Sequence, residues 1–168
     1  FRSQKELTAF YGLSMDIVNK NISLRYHEIP SNLDLDILAE FGINGLTLIV
    51  NDCRDDERTD IVDLDFIPLF IKKISISIYL SKSSYIELIN FPPTVLELFI
   101  ESSCIFKNLC FLPISLKKLE IKTISLQNNI LINNLINNYL TPYIEELILH
   151  PSYSRELKFL ELLNIRVL

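Results

Sequence analysis

The chain has 168 residues, enough for one domain with a sizeable apolar core, and 49% of them are hydrophobic. Its formal charge of −5 at pH 7 speaks against a strongly basic nucleic-acid binder and supplies no field that draws it to an acidic membrane. No apolar run reaches the ~18 residues a spanning helix needs, and three glycines leave little scope for a phosphate-cradling loop.

The chain opens at Phe1 rather than Met and shows no signal-peptide pattern, which reads as a processed product or a fragment of an intracellular, cytoplasmic protein. Delivery into another cell as an effector is left open. Ser3-Gln4-Lys5-Glu6 has capping-box spacing, followed by Leu7, Phe10 and Tyr11 on one face. Gly12 stops that helix, and Ser14 starts a second through Ile17 and Val18. Residues 1–20 are therefore expected to form a helical N-terminal cap, because the end unit of a repeat array otherwise exposes its apolar side.

From residue 21 onward a short pattern recurs: apolar, two others, apolar, one other, apolar. It runs Ile43-Leu46-Leu48, Ile71-Ile74-Ile76, Val95-Leu98-Ile100, Leu116-Leu119-Ile121, Ile144-Leu147-Leu149 and Leu162-Ile165-Val167. Ile22-Leu24 is a weaker seventh copy with Asn19 in its first position. In a chain so rich in Ile and Leu the triplet alone proves little. Prolines strengthen it: Pro68, Pro92 and Pro113 each precede a first apolar position by three residues, and Thr141-Pro142 nearly repeats the arrangement. Intervals between copies are 28, 24, 21, 28 and 18 residues, close to the length of one strand-plus-helix unit.

The intervening stretches carry helix signals. Leu33–Phe41 has Ser31 or Asn32 as cap and Gly42 as left-handed stop. The acidic stretch Asp52–Asp65 lacks the glycine and terminal glutamate of a calcium loop and reads as a solvated loop entering a short helix. Ser84–Asn90 and Cys104–Cys110 have room for a turn or two of helix. Gln127–Leu140 places Leu131, Leu135, Ile136, Tyr139 and Leu140 near helical spacing, and Ser154 can cap Arg155–Leu160. Alternation of period two with period 3.6 is what a βα repeat requires.

The LxxLxL core of LKKLEI and IEELIL resembles the leucine-rich repeat family. FLPISLKKLEI is similar to the proline-led variants in some bacterial effectors and FNIP-repeat proteins. Where that family places Asn or Cys in each loop, only Asn51 fits here; the equivalent positions are Tyr79, Ser103, Ile124 and Ser152. The resemblance implies an α/β solenoid: parallel strands on the concave face, short helices on the convex face, six to seven irregular repeats over residues 21–168 of a single domain, and function by protein recognition. The chain stops at Leu168 with no polar cap after the final strand, an edge open to self-association or to a larger complex.

In such a ribbon three columns of side chains face away from the core. The first is Asn21, Gly45, Lys73, Glu97, Lys118, Glu146 and Asn164. The second is Ser23, Thr47, Ser75, Phe99, Glu120, Ile148 and Arg166. The third is Arg25, Ile49, Ser77, Glu101, Lys122, His150 and Leu168. The first alternates in sign and reads as a ladder that sets repeat order. Phe99 and Ile148, rimmed by Glu101, Glu120, Lys122 and His150, are the candidate partner-binding residues. No catalytic, cofactor or metal site is expected: GxSxG and HExxH are missing, and His27 and His150 read as surface residues. Cys53, Cys104 and Cys110 lack CxxC spacing and read as partly buried thiols, with a Cys104–Cys110 bridge or a metal site as the alternatives. The sequon Asn21-Ile22-Ser23 falls on a predicted strand and reads as accidental.

Overall fold

Lys73–Tyr79 reads KISISIY, and its burial follows the same period of two: Ile74, Ile76 and Ile78 are buried while Lys73, Ser75, Ser77 and Tyr79 face outward. That rule repeats through the computed structural model, which describes residues 14–29, 34–51, 59–80, 85–108, 112–123 and 144–149. The strands are β1 (Ser14–Asp16), β2 (Asn21–Arg25), β3 (Gly45–Asn51), β4 (Thr59–Asp63), β5 (Lys73–Tyr79), β6 (Tyr85–Ile89), β7 (Glu97–Ser102), β8 (Ile105–Asn108), β9 (Lys118–Thr123) and β10 (Glu146–Leu149). One sheet has the order β1-β2-β3-β5-β7-β9-β10 and the other β4-β6-β8. All pairings are parallel except β1 with β2. The described residues thus form a solenoid of stacked parallel strands.

Two inward rows of the larger sheet are continuous. Ile22, Leu46, Ile74, Leu98, Leu119 and Leu147 lie in register, as do Leu24, Leu48, Ile76, Ile100, Ile121 and Leu149. Every one of these twelve side chains is buried. Val62, Ile86, Leu88 and Phe106 of the smaller sheet join the same core. Burial of this aliphatic surface, at roughly 25 cal/mol per Å2 of apolar area, is the principal stabilising term.

Three prolines mark tight turns into β5, β7 and β9. Pro68, Pro92 and Pro113 accept at their carbonyls from the N–H of Ile71, Val95 and Leu116 at 3.1, 3.3 and 3.1 Å. The turns are tied to one another along the stack. The Asn44 carbonyl accepts from Lys72 and Lys73, that of Lys72 from Leu96 and Glu97, that of Leu96 from Lys117 and Lys118, and that of Lys117 from Glu145 and Glu146, all at 2.7–3.1 Å. Hydroxyls add a second tie: Thr94 Oγ1 donates to the Leu69 carbonyl and Ser115 Oγ to that of Pro93, both at 2.6 Å. Main-chain carbonyls, rather than a ladder of asparagine side chains, therefore join successive turns.

The outer face corrects the expected α/β layering. Residues 59–63, 85–89 and 105–108, assigned above to a loop or to short helices, are strands. Geometry explains the choice. Five extended residues return ~16 Å across the ribbon, whereas a helix rising ~1.5 Å per residue needs about eleven for the same distance. Residues 80–96 and 103–117 must carry both turns as well as the return, and an extended return closes the unit with less chain than a helix would. Tyr85–Ile89 accordingly alternates, with Ile86 and Leu88 inward and Tyr85 outward.

The N-terminal expectation is corrected in part as well. Ser14–Asp16 is a strand antiparallel to β2, and Ile17 and Val18 lie exposed in the connecting turn instead of on a helix. The Asp16 carboxylate holds that turn, accepting from the Asn19 N–H at 3.0 Å and from Nδ2 at 2.6 Å. These two bonds keep the Asp16 carboxyl below its ordinary range. Residues 1–13 lie outside the described residues, as do the helices expected over 127–140 and 155–160. Of Leu33–Phe41, the described part is a 3₁₀-helix, Asp36–Phe41, stopped as expected by Gly42 at φ 65°. Leu35, Leu38 and Phe41 recur every three residues, so three residues per turn, not 3.6, aligns them toward the core. The other 3₁₀ turn is Tyr26–Glu28.

Tyr26 closes the outer edge of β4. Its hydroxyl accepts from the Asp63 N–H at 3.0 Å and reaches the Ile61 carbonyl at 3.5 Å, occupying the place of a neighbouring strand. Tyr26→Phe leaves both backbone groups without that partner and is expected to cost about 1–3 kcal/mol, read as a lowered urea midpoint at unchanged slope. An unchanged midpoint would show that solvent replaces the hydroxyl without loss.

Candidate functional site

A sheet whose inward rows are all aliphatic must present its other rows to solvent, and the strand registers fix which residues meet there. Asn21, Gly45, Lys73, Glu97, Lys118 and Glu146 align as one row. Ser23, Thr47, Ser75, Phe99, Glu120 and Ile148 align as the next, and Arg25, Ile49, Ser77, Glu101 and Lys122 as the third. Of the six residues singled out from the sequence, Phe99, Glu101, Glu120, Lys122 and Ile148 thus share one face. His150 lies outside the described residues, as does the C-terminal edge over 150–168.

Opposite charges pair within a row, across neighbouring strands. Lys73 Nζ lies 2.9 Å from Glu97 Oε1, Lys118 Nζ 3.1 Å from Glu146 Oε2, and Lys122 Nζ 2.6 Å from Glu101 Oε1. A fourth pair, Lys117–Glu145 at 2.9 Å, joins the turns beside them. The hydrogen bond from Lys122 to Glu101, and then the carboxylate charge, raise the Lys122 ammonium above its ordinary value, with smaller contributions from Tyr79 and Glu120. A raised lysine favours the folded state below the ordinary lysine range; that contribution disappears as pH climbs through the raised value.

These pairs are half exposed, so their individual worth is small. A double-mutant cycle on Lys73→Met and Glu97→Gln is expected to give a coupling of about 0.2–1 kcal/mol that shrinks in high salt. Coupling of zero at low salt would contradict the ladder.

A groove of about 340 Å3 crosses this face, lined on its surface by Asn21, Lys73, Ser75, Glu97, Phe99, Lys118 and Glu120. Asn21, one of these lining residues, packs its side chain against Gly45. A Cβ there would stand 2.7 Å from Asn21 Oδ1, so the bare backbone admits the Asn21 side chain, whose Nδ2 donates to Thr47 Oγ1 at 2.9 Å. That bond also occupies the amide of the sequon. Phe99 is partly buried between Ser75 and Glu120. Ile148 follows Glu120 in the same row but is not among the groove's lining residues.

Lys73, Glu97 and Lys118, members of the alternating ladder, also form the rim of the groove. Tyr79, which stands where the resemblance would put an asparagine, is 54% exposed at the end of β5. Period two carries the outward face of β5 from Ser77 to Tyr79.

Elsewhere, His27 is exposed and stacks edge-on against Tyr26 at 5.4 Å. Cys104 is buried, its N–H donating to Ser102 Oγ at 3.1 Å, and burial pushes its thiol above the ordinary range. Cys53 and Cys110 lie outside the described residues. Among the described residues no cluster of three or more His, Cys, Asp or Glu is placed to hold a metal, and no helix is long and apolar enough to cross a membrane. A scan of protein-family models and searches of curated proteins and of solved structures return no match to the chain.

Proposed function

We propose that this chain is a protein-recognition module of the leucine-rich-repeat type, a non-enzymatic scaffold that holds a protein partner against its concave strand face without a cofactor. The observation that carries this reading is the groove across that face, in which Phe99 offers apolar surface amid paired charges and short polar side chains. An aromatic side chain with a polar rim is the usual composition of an interface hot spot. Glu101, Glu120 and Lys122 supply polar rim contacts, and Ile148 extends the apolar surface beyond Glu120; His150 is proposed from the sequence column alone.

Replacing Phe99 by Ala tests it. Capture of the partner from native extract is expected to weaken at least ~30-fold, the equivalent of a ~2 kcal/mol hot spot. Thermal unfolding is expected to move by only a few degrees, since Phe99 is partly exposed already. Undiminished capture, or loss of capture together with folding, would contradict the reading.

A further inference from the structure

We infer that the occupant of the groove is an uncharged, extended peptide segment bearing one aromatic or long aliphatic side chain that seats on Phe99, an inference that rests on the recognition reading above. Three observations lead there. First, the groove runs across the strands: its lining residues come from β2, β3, β5, β7 and β9, four inter-strand steps. At ~4.8 Å per step this is about 19 Å, the length of some six extended residues.

Second, the floor has no backbone valence to offer. β3, β5, β7 and β9 each have a parallel neighbour on both sides, so their main-chain groups are engaged in the ladder and cannot pair with an added strand. The spacing of the rows also differs from that of a peptide. Alternate side chains of an extended segment recur every ~6.6 Å against ~4.8 Å per repeat, so contacts cannot repeat in step and a single anchor must dominate.

Third, the rim neutralises its own charges. Lys73 with Glu97 and Lys118 with Glu146 lie at 2.9 and 3.1 Å. Glu97 also stands in register beside Lys118, so the row alternates sign through four successive strands. A charged peptide residue entering beside these four side chains can gain a contact only by competing with a pair already formed, and it meets the opposite sign one step away. An uncharged segment leaves the pairs intact and desolvates Phe99.

Selection from a random peptide library displayed on phage, against the whole chain, tests this. Peptides whose binding is lost at least tenfold on Phe99→Ala are expected to be near neutral, to share one aromatic or long aliphatic position, and to bind with an affinity that changes less than twofold between 50 and 500 mM salt. Phe99-dependent peptides that are predominantly acidic or basic, with steep salt dependence, would overturn the inference while leaving recognition at this face intact. Failure to select any peptide that depends on Phe99 would overturn the inference; undiminished partner capture by Phe99→Ala as well would overturn both.

Discussion

Phe106→Ala is expected to lower stability by about 3–5 kcal/mol, the range for truncating a fully buried phenylalanine. Phe106 is 1% exposed and sits in β8 in register with Ile86 of β6, its ring within the core shared by the two sheets. Small domains have only ~5–15 kcal/mol in total, so this one truncation removes a large share. Lys107→Ala, at the exposed neighbouring position, is expected to fall within ~0.5 kcal/mol of the parent chain. Urea unfolding at 25 °C gives both values. A cost below ~1 kcal/mol for Phe106→Ala would mean that residues 105–108 do not pack on the ribbon as a strand.

Ile76→Ala is expected to cost about 2–5 kcal/mol and to spread its effect in both directions along the stack. Ile76 is fully buried in β5, flanked in register by Leu48 and Ile100, which are fully buried as well. In a solenoid each unit is stabilised mainly by its two neighbours, so a cavity in a central unit weakens the contacts on both sides. Amide hydrogen exchange should therefore lose protection in β3 and β7 together. Loss confined to one side would indicate that the units do not communicate through this row.

What the sequence made legible follows from what each signal measures. The triplet ending in Leu46-x-Leu48, Ile74-x-Ile76 or Leu98-x-Ile100 reports inward burial with period two, and that period survives folding unchanged. From it the three outward columns could be drawn, and the registers reproduce them residue for residue wherever the strands are described. The prolines were informative for a related reason: each begins a turn closed by the N–H of the first apolar residue.

The outer layer was misread because its segments are short. In YIELI, Ile86 and Leu88 alternate, but five residues with isoleucines also fit one helical turn. Pairing of these segments with one another, β4 with β6 and β6 with β8, decided the outcome, and no local propensity encodes that. Ser14, Ile17 and Val18 illustrate a second limit. Ser14 resembled a cap, yet Asp16 and Asn19 made the competing side-chain-to-backbone bonds that favour a turn. The groove was invisible for a third reason: its lining comes from five different strands, a relation between residues far apart in the chain.

Paired cysteines test the ribbon most directly. Ser77 and Glu101 stand opposite each other on β5 and β7, and adjacent strands at ~4.8 Å lie within the Cα separation a disulfide spans. Ser77→Cys with Glu101→Cys should cross-link on mild oxidation, identified by mass mapping of the joined peptides apart from the native cysteines. Ser75→Cys with Glu101→Cys, displaced by two residues to about 8 Å, should not. A bridge in the displaced pair, or none in the aligned one, would contradict the parallel register on which the recognition face depends.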